Sequence, residues 1–233
     1  MRIGFSKSAG RIFLNRIVPF SWLMHDSDRN LSLFSCLGGY SGSYMSAFPF
    51  VEDKEEYDLS QTSLVAVNPG SAWATKRWLK EWYAEIIVKF HNLTGRKTII
   101  IGGPSEVEYN GEVARMAGEE RCLDLTGKTS LRQLISVIRR LKLFITNDSG
   151  PMHIAAICNV PLIAIFGPTT RELGFFPRGR NFLVLEEELK CRPCALHGSR
   201  TCPRKHFLCM RLLVPERVWK EAKRLYRPQR SEM

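Results

Sequence analysis

The sequence lacks the features of a membrane-spanning or exported protein. No stretch approaches the run of roughly 18 apolar residues that a transmembrane helix requires. The N-terminus, from Met1 to Lys7, has no long apolar core of the kind found in secretory signal peptides. These absences predict a cytoplasmic protein, in which disulfide bonds are not the default state of the seven cysteines.

The two common nucleotide-binding fingerprints are absent as well. Neither G-x-G-x-x-G nor G-x-x-x-x-G-K-[ST] occurs anywhere in the chain. Conventional dinucleotide binding and P-loop hydrolysis are therefore not expected.

Acidic residues are too few to balance the basic ones. The chain has 34 Lys and Arg against 23 Asp and Glu, a net charge of +11. Residues 191–233 hold 11 basic and 3 acidic residues, whereas the first 190 residues carry only +3. A basic end favours an anionic partner, which leaves nucleic acid, a membrane surface or a phosphorylated ligand open.

Short, continuous apolar runs alternate with helical patterns from residue 61 onwards. The runs, each predicted to be a buried strand, lie at 64–67, 98–101, 123–125, 143–146 and 161–166. Between them, Trp78, Trp82, Ile86 and Phe90 form the apolar stripe of a helix. The spacings Ser105–Glu108 and Ser130–Gln133 predict capping boxes, and Pro151 suits a first helical turn. Such alternation predicts a Rossmann-like α/β domain with a parallel sheet.

The first 60 residues have a weaker pattern. Residues 11–14 and 16–18 suggest a strand, and residues 25–37 have apolar side chains at roughly helical spacing. The acidic run 52–56 is typical of a solvated connector, so we expect a boundary near residue 60.

The loops that follow the predicted strands contain the best candidates for a ligand site. In parallel sheets, ligands bind outside the carboxyl ends of the strands. Asp148 follows a buried strand and can accept hydrogen bonds from sugar hydroxyls, while Ser149 and Gly150 begin the next helix with N–H groups suited to phosphate. His153 lies one turn further on. The competing interpretation is that Asp148 caps the helix and His153 is a core residue. Lys76, after the first strand, is either a diphosphate ligand or a surface lysine.

Taken together, these loops resemble the nucleotide-sugar-binding half of the bacterial lipopolysaccharide heptosyltransferases, glycosyltransferase family 9. The matching pieces span roughly residues 64 to 225 and occur in the family's order, at 68–71, 76–78, 102–106, 125–131, 147–156 and 166–169. The resemblance implies a GT-B fold, with one complete Rossmann-like parallel-sheet domain plus a fragment of the N-terminal Rossmann-like domain. It implies an acceptor-side remnant and linker at 1–60, a nucleotide-sugar-binding domain at 61–215, and a helix with a basic tail at 216–233.

The resemblance also implies an activity and its partners. The family reaction transfers heptose from ADP-heptose to the lipopolysaccharide inner core, with inversion and without a required cofactor. A lipid A–core acceptor implies contact with the inner membrane surface, and no nucleic acid is expected. The chain has no counterpart of the family's N-terminal strand, Gly-rich loop and general base, so we expect an N-terminal truncation and an unassigned catalytic base.

The resemblance also implies roles for individual residues in these motifs. Ser71 and Ala72 take the positions that approach the diphosphate, with Lys76 as the cation beside them. Asp148 holds donor sugar hydroxyls, Ser149 and Gly150 offer N–H groups, His153 supports that loop, and Thr129 lies on the adenine side. Pro104 stands where some members have a ribose-binding carboxylate, which leaves Glu106 as a substitute.

Four cysteines crowd into a segment that we call the cysteine loop, residues 191–209. Cys191, Cys194, Cys202 and Cys209 could form a tetrahedral structural zinc site, with His197 or His206 as substitute ligands. Uncoordinated or redox-labile thiols and an iron–sulfur cluster are the alternatives.

Two other functions compete with an active transferase. One is a non-catalytic, nucleotide-sugar-binding remnant. The other is a nucleic-acid-binding protein that uses a zinc loop and the basic tail, although no known binding motif is present.

Overall fold

The computed structural model describes residues 1–22, 24–38 and 57–226. Their contacts divide them into two compact units. Unit 1 contains residues 1–22, 24–38 and 170–176, and unit 2 contains residues 57–169 and 177–226. Among the described residues, no helix combines the length and apolar character needed to cross a bilayer.

Unit 1 contains a parallel strand pair and one helix. Strand β1 (Ile3–Phe5) pairs with β2 (Arg16–Val18), and helix α1 (Asp26–Ser35) follows. The helix expected within 25–37 is confirmed, but the strand suggested at 11–14 is wrong because Arg11–Phe13 forms a 3₁₀ turn. The Phe13 N–H bonds to the carbonyl of Gly10 three residues back, which satisfies the backbone locally instead of in a ladder.

Unit 2 is built on a six-stranded parallel sheet with the order β5-β4-β3-β6-β7-β8. Its strands are β3 (Thr62–Asn68), β4 (Lys97–Ile100), β5 (Cys122–Asp124), β6 (Leu143–Asn147), β7 (Leu162–Phe166) and β8 (Phe182–Glu186). Its helices are α2 (Lys80–Thr94), α3 (Val107–Ala117), α4 (Leu131–Arg139), α5 (Gly150–Ile157), α6 (Leu208–Arg211) and α7 (Pro215–Leu225). This confirms the predicted Rossmann-like α/β domain.

The core of unit 2 explains why the apolar runs become strands. Every residue of β6 and β7 is buried, as continuous apolar runs require when helices cover both faces of a sheet. The stripe of α2 supplies the buried side chains Tyr83, Ile86 and Phe90, and Phe90 stacks edge-on against Trp219 of α7. Trp78 lies just before α2, fully buried, and its indole N–H donates to the Leu213 carbonyl at 2.8 Å.

One of the two predicted capping boxes is wrong and the other is confirmed. The helix after β4 is not opened by Ser105 and Glu108: the Glu106 carboxylate accepts from the Gly103 N–H at 2.7 Å, and a 3₁₀ turn over Pro104–Glu106 leads into α3. Proline at the first position favours this earlier start, since its missing N–H needs no partner there. By contrast, the Ser130–Gln133 capping box is confirmed, and α4 begins at Leu131.

Candidate functional site

The cavity of interest lies at the carboxyl ends of β3, β4 and β6. The strand order reverses between β3 and β6, and such a switch point leaves a crevice in doubly wound sheets. The cavity has a volume of about 440 Å³. It is lined by eight of the nine predicted donor residues, namely Ser71, Ala72, Lys76, Glu106, Thr129, Asp148, Ser149 and Gly150. His153 is half-buried in α5 and does not line it.

Asn147, the last residue of β6, organises the floor of this site. Its amide Nδ2 donates to the carbonyls of Pro69 at 2.8 Å, Gly70 at 3.2 Å and Asn68 at 3.4 Å. Its Oδ1 accepts from the Trp78 N–H and from the Tyr83 hydroxyl, both at 3.0 Å. The fully buried Asn147 therefore ties the loop after β3 to the end of β6.

Tyr83 reaches Asn147 only because α2 brings its side chain to the sheet. Burial raises the pKa of the Tyr83 hydroxyl well above its usual value, so the group stays protonated and donates. Neither Asn147 nor Tyr83 was predicted for this role. Buried side-chain amides between two loops leave no periodic signal in a sequence.

Asn68 and Ser149 form a second polar layer directly under the cavity. The Asn68 amide donates to the Ser149 hydroxyl at 2.9 Å and to the Thr146 hydroxyl at 3.3 Å. Its Oδ1 is buried and has no hydrogen-bond partner among the residues that the structure describes. Asn68 itself is among the residues that line the cavity, so this polar layer forms part of its wall.

Lys76 and Asp148 form an ion pair in the wall of the cavity. Lys76 Nζ lies 2.6 Å from Asp148 Oδ2, and the side chains are only 11% and 5% exposed. The Thr169 hydroxyl donates to the same carboxylate oxygen at 2.8 Å. The N-cap of α5 is Ser149, and the carboxylate of Asp148 is directed to Lys76 and Thr169. The geometry thus favours a site role for Asp148 over the helix-cap interpretation.

Glu106 lies against the backbone of two loops. A Cβ at Gly70 would fall 2.3 Å from the Glu106 Cδ, and one at Gly102 would fall 3.0 Å from its Oε2. The two glycines leave room for the carboxylate, and the Gly103 N–H fixes it. Glu106 is therefore held in place where it lines the cavity.

The cysteine loop begins beside this site with a buried arginine. The Arg192 guanidinium, 4% exposed, pairs with Glu186 at 2.7 Å, and donates to the Thr169 carbonyl at 2.7 Å and to the Gly167 carbonyl. These contacts join the ends of β7 and β8. Arg192 was not among the predicted site residues, since nothing in its sequence context distinguishes it from surface arginines.

Three thiols of the cysteine loop, those of Cys194, Cys202 and Cys209, differ in pKa. Burial raises the pKa of Cys209 to about 11, and burial together with the Cys191 and Cys202 thiols raises that of Cys194. Burial also acts on Cys202, but backbone N–H groups of residues 204–207 outweigh it and lower its pKa. Within the described part of the chain, no three His, Cys, Asp or Glu side chains are grouped closely enough to hold a metal ion.

Comparison with known proteins places this chain among sugar transferases. The model of glycosyltransferase family 9 (heptosyltransferase) matches residues 1–205. Lipooligosaccharide heptosyltransferase 2 of Campylobacter jejuni subsp. jejuni serotype O:6 is 34% identical over 169 residues, covering 71% of this chain and 52% of that protein. The chain thus spans about half the length of the curated relative.

Solved structures agree on the fold. The structure of Escherichia coli ADP-heptose LPS heptosyltransferase II superposes with a TM-score of 0.76 at 22% identity, covering 97% of this chain and 69% of that one. The E. coli heptosyltransferase WaaC with ADP-2-deoxy-2-fluoro heptose gives 0.63 at 18% identity, covering 91% and 60%. These structural similarities support the predicted GT-B fold.

Proposed function

Because the chain belongs to glycosyltransferase family 9, the heptosyltransferase family, we propose that the cavity of unit 2 binds ADP-heptose as the donor for heptose transfer to the lipopolysaccharide inner core, with inversion. One observation carries the proposal: Lys76, Asp148 and the N-terminus of α5 converge on one cavity at the switch point of the sheet. A cation and helix N–H groups at such a place suit a diphosphate.

The cavity residues divide between the parts of the donor. We assign the diphosphate to Lys76, Ser71 and Ala72, and to the N–H groups of Ser149 and Gly150. An ammonium has three N–H donors, so Lys76 can bind a phosphate oxygen while it keeps its contact with Asp148.

The remaining groups suit the two ends of the donor. Asp148 accepts from sugar hydroxyls, Glu106 from the ribose, and Thr129 lies on the adenine side. His153 supports the loop from within α5. Stabilising the departing diphosphate is the chemical contribution of this site, because negative charge develops there as the sugar leaves.

The general base is expected outside this cavity. The two carboxylates at the cavity are already engaged, Asp148 by Lys76 and Thr169, and Glu106 by the Gly103 N–H. An inverting transfer requires a base at the acceptor hydroxyl, on the other side of the anomeric carbon. Binding of ADP-heptose without transfer to a lipid A–core acceptor would therefore favour the non-catalytic remnant.

Replacing Lys76 by alanine tests the donor assignment. We expect the Kd for ADP to rise about 10- to 150-fold, since a hydrogen bond to a charged group contributes about 1.5–3 kcal/mol, with little change for adenosine. Titration calorimetry measures both. Lys89→Ala, which removes a lysine from the surface pair with Glu85 on α2, is the matched control. Equal losses for ADP and adenosine would reject the diphosphate role, and tight binding of single-stranded DNA without ADP affinity would reject the proposed function.

We also propose that the cysteine loop holds a structural zinc ion through Cys191, Cys194, Cys202 and Cys209. The support is the donor set, four thiols within one loop whose charges already influence one another's pKa. Because the thiols are not grouped for coordination as they stand, the loop has to close around the ion. Four protein ligands would complete the shell, so this metal has no catalytic role.

Alkylation with iodoacetamide, read by mass spectrometry, tests the zinc proposal. Zinc-loaded protein should protect all four cysteines until a chelator is added. Without zinc, Cys202 should react first because its lowered pKa gives more thiolate, and Cys194 and Cys209 last because burial raises theirs. If protein prepared with zinc showed this same order of alkylation, the zinc proposal would be contradicted.

Finally, we propose that the protein works on the cytoplasmic side and contacts the anionic inner membrane surface. Around α6, the side chains of Leu208, Leu212 and Val214 are exposed beside the exposed cations Lys205 and Arg211. Apolar and basic side chains together suit an anionic bilayer. Co-sedimentation with phosphatidylglycerol vesicles should exceed that with pure phosphatidylcholine and fall with salt, and equal sedimentation with both would contradict the contact.

A further inference from the structure

The cysteine loop contributes no side chain to the cavity. Its backbone and one arginine nevertheless contact Thr75, which precedes Lys76, and Thr169, which donates to Asp148. We propose that the cysteine loop is a positioning element of the donor site, which sets the distance between Lys76 and Asp148 through Ser199 on one side and Arg192 on the other. This inference rests on the proposed donor site, and it adds residues that act on the diphosphate only through others.

The Asp148 side is held through the segment that follows β7. Three successive carbonyls there accept from the cysteine loop: Gly167 and Thr169 from the Arg192 guanidinium, and Pro168 from the Cys194 N–H at 3.0 Å. Thr169 in turn donates its hydroxyl to the Asp148 carboxylate at 2.8 Å. A shift of Arg192 therefore moves the group that orients the Asp148 carboxylate.

Arg192 is built to fix this segment rather than to neutralise a charge in solution. Its guanidinium is buried, pairs with Glu186, and also donates hydrogen bonds to backbone carbonyls. The planar fork of an arginine can hold several acceptors at fixed angles, whereas a lysine ammonium at the same place cannot span them.

The Lys76 side is held through Thr75. The Thr75 N–H and hydroxyl both donate to the Ser199 carbonyl, at 3.1 and 2.9 Å, and the Ser199 N–H donates back to the Thr75 hydroxyl at 2.8 Å. This reciprocal arrangement places the cysteine loop one residue away from the cation of the site. Thr75 is buried and does not line the cavity.

Gly198 brings the loop into direct contact with the lysine. Its φ of +98° is a conformation that favours glycine, and a Cβ there would lie 2.8 Å from the Trp73 Cβ and 3.2 Å from the Lys76 Cγ. The loop backbone thus packs on the aliphatic stem of Lys76. The stem and the carboxylate it points to are fixed by the same short segment, residues 192–199.

The consequence is a donor site whose selectivity for the diphosphate depends on the loop. Lys76 and Asp148 come from different loops, so their 2.6 Å separation depends on whatever fixes those loops together. Charge-assisted hydrogen bonds lose strength rapidly with misalignment, and misplacement by about 1 Å at a reacting site is costly. Weakening either contact of the cysteine loop should therefore reduce affinity for the diphosphate more than affinity for the nucleoside.

The experiment compares ADP and adenosine binding by calorimetry in the full chain with Thr75→Val, Thr75→Ser and Arg192→Lys. Valine removes the hydroxyl that bonds Ser199 in both directions while keeping the shape, and serine retains it. We expect Thr75→Val and Arg192→Lys to raise the Kd for ADP about tenfold, with adenosine changed less than about twofold, and Thr75→Ser to restore wild-type binding. Arg200→Lys, on an exposed side chain of the same loop, is the matched control.

The outcomes separate this inference from the proposed function. If the wild-type chain binds ADP and Thr75→Val binds it equally well, the positioning role is rejected. Equal loss of ADP and adenosine affinity in Thr75→Val, without rescue by serine, would also reject it and indicate a general structural role. Failure of the wild-type chain to bind ADP would instead overturn the proposed donor site itself.

Discussion

Asp148→Ala is expected to raise the Kd for ADP-heptose by about two orders of magnitude. The substitution removes the acceptor assigned to the sugar hydroxyls, and it leaves the Lys76 ammonium without its partner at 2.6 Å. Hydrogen bonds to a charged group contribute about 1.5–3 kcal/mol each, which accounts for this loss. Because ADP has no heptose, its affinity should fall less than that of ADP-heptose, and titration calorimetry with both ligands measures the difference.

The same substitution has a cost in stability. Breaking a buried ion pair by removing one partner typically costs about 3–5 kcal/mol, and we expect about 3 kcal/mol because Lys76 borders a cavity that water can enter. Urea unfolding gives this value. Adding Lys76→Met to Asp148→Ala should recover part of the loss, since it removes the unpaired charge.

Two results would contradict this account of Asp148. Unchanged affinity for ADP-heptose in a folded Asp148→Ala protein would reject its role in the site. Loss of α5, seen as reduced helical circular dichroism with no other defect, would revive the helix-cap interpretation. Asp148→Asn is the matched variant, because it can still accept from Thr169 but pairs less strongly with Lys76.

Asn147→Ala is expected to lower the free energy of unfolding by about 4 kcal/mol or more. The change removes five hydrogen bonds at a fully buried position. It leaves the Trp78 N–H and the Tyr83 hydroxyl as buried donors without this partner, and each such group costs about 1–3 kcal/mol. Losses above about 4 kcal/mol are rare for single substitutions and are typical of broken buried networks.

Urea unfolding of Asn147→Ala and of Asn181→Ala compares the buried amide with an exposed one. Asn181 donates to the Asn159 carbonyl at the surface, so its removal should change stability by less than about 0.5 kcal/mol. Asn147→Asp should also destabilise, because a carboxylate would then face the carbonyls of Pro69 and Gly70. A loss under about 1 kcal/mol in Asn147→Ala would show that the network contributes little.

The sheet was predictable because its signal is local. The runs that became β3, β6 and β7 are apolar without interruption, and the stripe of α2 repeats every three to four residues. Strand β8 (Phe182–Glu186) was not predicted. It is a short apolar run at the sheet edge, and no α-helix lies between it and β7. Short runs of that kind do not distinguish a strand from a coil that packs on the core.

For the candidate site, the sequence predicted which residues line the cavity but not how they contact one another. Asp148 and Lys76 each follow a strand, which placed both at one edge of the sheet. Their pairing depends on contacts between segments far apart in sequence. The same is true of the contacts that Arg192 makes with Thr169 and Ser199 with Thr75. No motif spacing encodes such contacts, because the loops can approach in many ways until the sheet fixes their ends.

The close approach of Glu106 to Gly70 has a consequence for how these positions can vary. A methyl group at position 70 would occupy the place of the Glu106 carboxylate, which the Gly103 N–H otherwise retains. Alanine at 70 is therefore compatible with the present backbone only if residue 106 is shortened or turned away. The two positions are therefore coupled in any attempt to redesign donor preference. Gly70→Ala offers a means to displace the Glu106 carboxylate without substituting Glu106 itself.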